Sequence, residues 1–292
     1  MNKNKIILGT VQFGLNYGIN NSLGKPSQKE VFQILNLAKD RNIDLLDTAE
    51  AYGNAQNIIG SYHKQSNFRF NIITKYSPTN KELPLSIYDR VYKNLDTLNV
   101  QKLYSYMFHS FKDYKLLWKE QKKNFEKLKE EDKIEKIGVS LYTNEELKNI
   151  IKDNCVELVQ IPFNLLDNVN QKFNLLKEAK EMGFEIHTRS AFLQGLFFRD
   201  IDNLPDFFMS LKSDLKKIKE LAKSNKISVS DLALSYVSSQ KYVDGILIGV
   251  DSETQLSENI NFSKNVLPQQ VIDEINSITV LNPELLNPSN WK

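Results

Sequence analysis

Eight apolar runs of strand length recur along this chain, each parted from the next by a stretch long enough for a helix, and that alternation restricts the fold more than any other feature. The runs read KIILGTVQFG, IDLLDTA, FNIITKY, KLYSYMFHS, KIGVSLY, VELVQIPFN, FEIHTRSAF and VDGILIGVD. Strands separated by helices cannot pair as hairpins, so each crossover returns the chain parallel to its predecessor. Eight such strands close into a (β/α)8 TIM barrel, and 292 residues accommodate one barrel of about 250 with additions. The expectation is an α/β fold with one domain over 1–292, an insertion at 196–226 after the seventh strand, and a C-terminal extension over 266–292, helical at 268–278. The competing open, doubly wound sheet would want a GxGxxG turn after an early strand, and none is present.

The intervening stretches carry their own start and stop signals. Ser27 followed by Glu30 reads as a capping box for a helix over 27–41, with Val31, Ile34, Leu35 and Ala38 on one face. Thr143 with Glu146 opens 143–153 in the same way. Further helices are predicted over 54–64, 84–98 with Pro84 near its start, 114–131, 168–182 ending at Gly183, and 228–240. The charge-dense KEQKKNFEKLKEEDK alternates in sign and sets Trp118, Phe125 and Leu128 on one side, which describes a solvated helix face rather than a binding patch.

Composition removes several function classes. With 38 basic and 36 acidic side chains the formal net charge is +2, too small for a broad field that would hold nucleic acid or an anionic membrane. The first apolar stretch is too short for a signal peptide, and no run approaches the ~18 residues of a membrane span, so a cytoplasmic protein is expected. Cys155 is the only cysteine, which excludes an internal disulfide and a multi-cysteine metal site; a buried inert thiol is expected, and no metal.

In a barrel, chemistry gathers at the carboxyl ends of the strands. Those ends carry Asp47 and, five residues on, Tyr52; Thr74 and Lys75; His109 and Ser110; Ser140; Gln160 and Asn164; Arg189 and Ser190; and Gly249 with Asp251. Asp47, Tyr52, Lys75 and His109 have a joint meaning. A phenol with a pKa near 10 is a poor proton donor to a forming alkoxide, but a neighbouring ammonium stabilises its phenolate. Lys75 can be that cation, Asp47 can hold Lys75 in place, and a neutral His109 can donate a hydrogen bond to a carbonyl oxygen. Tyr52 then becomes the acid for carbonyl reduction, or the base for alcohol oxidation. Such a device lacks an electron source, and with no metal cluster a nicotinamide must bring the hydride.

The stretches LGTVQFGLNYG, DTAEAYGNAQNIIG, ITKY, FHS, KIEKIGVS, LVQIPFNLLD, RSAFLQGLF and GVDSETQLSEN, in this order and at barrel spacing, resemble the aldo-keto reductase family over nearly the whole chain. The resemblance implies NAD(P)H-dependent reduction of a small-molecule aldehyde or ketone by the tetrad Asp47, Tyr52, Lys75 and His109. It further implies a cofactor held by Thr10 and Asp47, by Ser140 and Gln160 at the nicotinamide carboxamide, by Ser190, Leu193 and Gly195 along the pyrophosphate, and by Gly249, Gln255, Glu258 and Asn259 toward the adenosine. The RSAFLQG form points to a sugar-derived carbonyl.

Two positions depart from the family pattern. Where many members carry Gly-Ala-Arg after the last strand, with the arginine on the 2′-phosphate of NADPH, this chain has Gly249, Val250 and Asp251. A carboxylate there repels that phosphate and suits a free ribose 2′-hydroxyl, so NADH is expected to be accepted or preferred, unless a lysine such as Lys264 restores the charge. Arg189 stands where the family often stacks an aromatic ring on the nicotinamide, and is expected to touch cofactor or substrate. Tyr17 is either a loop aromatic or a pocket wall, His187 a structural residue or a support for the site, and His63 solvent-facing. Two other functions fit the same residues: a nicotinamide-binding regulatory subunit, and an aldolase using Lys75 as a Schiff base, which would want that lysine free of its carboxylate.

Overall fold

The computed structural model describes residues 5–19, 21, 24–77, 86–261 and 266–291. In chain order the elements are β1 (Ile6–Gly9), α1 (Val11–Gly14), α2 (Gln28–Asp40), β2 (Leu45–Asp47), α3 (Ala55–Gln65), β3 (Asn71–Tyr76), α4 (Ile87–Leu98) and β4 (Leu103–Phe108). They continue with α5 (Phe111–Glu130), β5 (Ile134–Ser140), α6 (Asn144–Asp153), β6 (Leu158–Pro162), α7 (Val169–Glu181) and β7 (Glu185–Arg189). After two 3-10 turns come α8 (Lys212–Ser224), α9 (Val229–Ser238), β8 (Gly245–Gly249), α10 (Glu253–Ile260) and α11 (Gln269–Asn276). The eight strands form a closed parallel barrel in sequence order, with β8 returning to β1 through Ile6 beside Ile246 and Gly9 beside Gly249.

Local chemistry explains the boundaries. Both capping boxes form: the Ser27 hydroxyl accepts from Glu30 N while the Glu30 carboxylate accepts from Ser27 N, and Thr143 and Glu146 repeat the exchange. The Ser86 hydroxyl caps α4 by accepting from Asp89 N at 3.1 Å, whereas the expected start at Pro84 lies outside the described residues. Gly183, with φ +89°, ends the segment after α7 in the left-handed conformation that a helix stop favours. The insertion after β7 holds α8, and β8 is followed directly by α10; neither helix was read from the sequence. The C-terminal segment is tied down where Asn168 Nδ2 donates to the carbonyls of Ile275 at 2.9 Å and Ile278 at 3.0 Å, and Tyr236 OH to Asn276 Oδ1 at 2.7 Å.

Most of the core lies between the barrel wall and the helices, and a small second cluster fills the barrel itself: Ile73, Met107 and Leu158, with Leu45 and Tyr104 against it. Gly138 makes room for it, since a Cβ there would lie 2.8 Å from Met107 Cγ. Beneath this layer, at the amino ends of the strands, a charged floor closes the barrel. Tyr104 OH donates to both Glu185 carboxylate oxygens at 2.7 Å, Lys136 Nζ donates to Tyr104 OH at 2.7 Å and pairs with Glu185, and His187 Nε2 meets Glu185 Oε1 at 2.6 Å. His187 is therefore part of the floor, its ring against Gly245, where a Cβ would lie 2.6 Å from its Cδ2. His63 is buried, not solvent-facing: its Nδ1 meets Leu98 O at 2.7 Å and its Nε2 accepts from Phe70 N at 3.2 Å, pinning α3 to the end of α4. Cys155 is half-buried, and its thiol donates to Asp153 O at 2.9 Å. Among the described residues no helix is long and apolar enough to cross a membrane.

Candidate active site

Side chains on a strand repeat every second residue, so what stands two steps past the inner apolar layer faces the same interior one level higher. From Leu45, Ile73, Met107 and Leu158 those steps lead to Asp47, Lys75, His109 and Gln160. They surround a cavity of about 580 Å³ at the carboxyl ends of the strands, within the range of small-molecule and cofactor sites.

Lys75 and Asp47 are each 1% exposed and form an ion pair through Asp47 Oδ1. Gln160 Nε2 donates to the other oxygen, Oδ2, at 2.7 Å, and the Asp47 carbonyl accepts from Thr10 N at 3.0 Å and Thr10 Oγ1 at 2.9 Å. The carboxylate is thus fixed from β3 and β6, and its backbone by Thr10 just past β1. The Lys75 ammonium lies 5.4 Å from the centroid of the Tyr52 ring, and the His109 ring meets Tyr52 edge-on with centroids 5.8 Å apart. Tyr52, Lys75 and His109 all line the one cavity.

The loop bearing Tyr52 is held from outside the barrel as well. Glu50, two residues before it, accepts from Arg90 Nη1 at 2.7 Å, Asn94 Nδ2 at 2.8 Å, Tyr106 OH at 2.7 Å and Ser77 N at 3.2 Å. From the other side α1 packs backbone against backbone: a Cβ on Gly14 would lie 1.8 Å from Tyr52 O, and one on Gly53, at φ +54°, 2.5 Å from Gly14 O.

The electrostatics differ from the sequence-based expectation at Tyr52. Burial pushes its hydroxyl well above the usual phenol range, with Asp47 and Tyr17 adding to the rise and Arg189 opposing it, so the charges around Tyr52 do not offset desolvation. The same burial lowers the Lys75 pKa against the attraction of Asp47. His109 is pulled down to about 4 by burial and then by Lys75, which leaves a neutral imidazole at neutral pH, as expected. A ring proton titration by NMR should therefore place the His109 midpoint near 4. Because the unfolded chain binds that proton below about 6.5 and the folded chain only near 4, stability falls as pH drops through this window, by roughly 3 kcal/mol at most. A midpoint of 6 or above would contradict this environment.

Of the positions expected to hold a cofactor, Thr10, Asp47, Ser140, Gln160, Arg189, Ser190, Gly195, Gly249, Asp251, Gln255, Glu258 and Asn259 all line the cavity. Leu193 does not line it: its side chain is fully buried and its amide is bonded to Ser190 O at 2.9 Å. The turn at 190–195 is unusual, since Ser190, Leu193, Gln194 and Gly195 all have positive φ, a departure that non-glycine residues keep only where the surroundings demand it. Tyr17 proves to be a pocket wall, its hydroxyl accepting from Gln194 Nε2 at 3.0 Å. The Asp251 carboxylate accepts from Asn21 Nδ2 at 3.2 Å, and burial raises its pKa; Lys264 lies outside the described residues.

Sequence reasoning missed Gln12, Asn21 and Tyr142 in the lining. Gln12 rests against Gly249, where a Cβ would be 2.5 Å from its amide, and its buried Oε1 has no partner among the described residues. The only advance signal for Gln12 was its place between the two glycines of LGTVQFG. Among the described residues no group of three metal-ligating side chains is assembled.

The comparisons with known proteins agree with this frame. No curated protein matches the chain. Among solved structures, aldo-keto reductase AKR11C1 from Bacillus halodurans, in its holo form, is similar with a TM-score of 0.75 at 20% identity, over 94% of this chain and 92% of that one. A Pseudomonas aeruginosa protein, PA4992, assigned to the aldo-keto reductases, is similar with a TM-score of 0.66 at 20% identity, over 90% and 91% of the two chains. The family model named Aldo/keto reductase family matches residues 5–280. With nearly the whole barrel inside that match, the chain belongs to the aldo/keto reductase family and is an oxidoreductase of that kind.

Proposed function

We propose that the protein reduces an aldehyde or ketone, sugar-derived in the simplest reading, to the alcohol, with Tyr52 as proton donor and a nicotinamide cofactor. The observation that carries this reading is the buried Lys75 and Asp47 pair beside Tyr52 and a neutral His109 in one cavity. A bound nicotinamide supplies the hydride. The residues present fit such a group: Gln12 Oε1, set against Gly249 and without a partner among the described residues, and the Ser140 and Gln160 side chains offer polar atoms to one trough, which Gln194 and Gly195 also line.

Each residue then has a role set by its surroundings. The Tyr52 hydroxyl, held protonated by burial, gives its hydrogen to the oxygen that was the carbonyl. Lys75, fixed by Asp47, stabilises the negative charge left on Tyr52, and the neutral His109 donates a hydrogen bond that orients the carbonyl. The carboxylate on Lys75 argues against a Schiff-base lysine, which needs to be free. A regulatory role without turnover has no observation in its favour, because all four groups of the tetrad are assembled.

Tyr52→Phe is expected to lower the rate of carbonyl reduction by about 10²–10⁴-fold while NADH affinity changes little. Reading nicotinamide absorbance for turnover and fluorescence for binding checks both, with NADH and NADPH in parallel. Unimpaired reduction by the variant would remove Tyr52 from the chemistry. Asp251 favours NADH, and much tighter binding of NADPH would overturn that part.

A further inference from the structure

We infer that Arg189 makes this cavity selective for carbonyl compounds bearing an anionic group, a carboxylate in the simplest case. The inference rests on the reductase reading above and names its substrate class. Arg189 ends β7 and lines the same cavity as Tyr52, Lys75 and His109. Its position is set by the end of β5 and the residues just after it: Nη2 donates to Leu141 O at 2.9 Å, and the guanidinium lies 4.2 Å from the centre of the Tyr142 ring. A third contact, Nη1 to Ser190 Oγ at 3.5 Å, is at the limit of a hydrogen bond.

The charges around it leave a surplus. Lys75 is neutralised by Asp47, and His109 is neutral at neutral pH. Arg189 pairs with no carboxylate among the described residues. The other acids lining the cavity, Asp251 and Glu258, come after β8, and Asp251 is engaged by Asn21. A half-buried cation that is fixed on one side and unpaired on the other is expensive to keep without a counter-charge. A guanidinium has five N–H donors, and the planar fork suits a carboxylate better than any neutral group. The Tyr142 ring lies against the guanidinium and Tyr17 lines the same cavity, so the site offers both a charge and aromatic walls for a short carbon chain.

The test compares pairs of equal length: 4-oxobutanoate with butanal, and 6-oxohexanoate with hexanal. The native enzyme is expected to favour the anionic member in kcat/KM, and Arg189→Met to reduce that ratio by about tenfold to a hundredfold, mainly through KM, with Arg189→Lys between the two. Binding supplies a separate readout. Succinate, which cannot be reduced at its carboxylates under these conditions, should bind the NADH-loaded protein by calorimetry and lose affinity by a similar factor in Arg189→Met. An equal loss for both members of each pair, or a loss confined to NADH affinity measured by fluorescence, would assign Arg189 to the cofactor and overturn the inference. Absence of an anionic preference in the native enzyme would overturn it as well. If succinate binds through Arg189 while no aldehyde or ketone is reduced, the reductase reading fails and the anion site stands.

Discussion

Lys75→Met should reduce carbonyl turnover by about 10²–10⁴-fold and cost the fold about 3–5 kcal/mol, the largest combined effect expected of any single substitution here. The stability loss follows from what is left behind: an Asp47 carboxylate 1% exposed, with only Gln160 Nε2 among the described residues still donating to it. Removing one member of a buried pair strands the other charge, whereas removing both is far milder. The double variant Asp47→Asn/Lys75→Met should therefore recover most of the stability and none of the turnover. Denaturant unfolding and steady-state rates separate the two effects. A single variant as stable as the native protein would mean that the pair is not the buried, ionised contact described; a double variant that regains turnover would remove Lys75 from the reaction.

Gly14→Ala is the second large effect, and it acts through backbone alone. The new methyl group would fall 1.8 Å from the Tyr52 carbonyl oxygen and 2.9 Å from Ala55 N, neither of which can swing aside as a side chain could. Helix α1 must back away from the loop, or the loop must move with Tyr52 on it. A displacement near 1 Å at a reacting group costs about 10²-fold in rate, so kcat should fall by that order while the protein still folds. Gly60→Ala is the matched control: its methyl group would lie 1.9 Å from Thr97 O, where α3 meets α4, away from the cavity. It should lower the melting temperature comparably and leave kcat of the folded fraction much closer to native. Equal kcat losses in the two would show that general loosening, not the placement of Tyr52, is responsible.

The barrel could be read from the sequence because its signals are local. Ser27 with Glu30 and Thr143 with Glu146 announce helix starts within four residues, and both boxes form. That these candidate residues meet was legible for a related reason: Asp47, Lys75 and His109 each end an apolar run, and a closed parallel barrel turns such ends toward one mouth. What stayed hidden depends on contacts distant in sequence. His63 sits in a polar stretch, yet α3 presses it onto Leu98 O. Leu193 follows Ser190 closely, but the left-handed turn carries it into the core. Desolvation at Tyr52 has no signature in DTAEAYG, so the direction of its pKa could not be read from the spacing to Lys75. Gln12 reaches the lining only because β1 lies beside Gly249, 237 residues further along the chain.

The pairing of β1 with β8 has a consequence for synthesis. A ring cannot shut before its last segment arrives, so on the ribosome the first seven strands wait with two raw margins until residues 245–249 emerge. Nascent chains halted short of that point should be the ones that chaperones hold and that clump when chaperones are scarce.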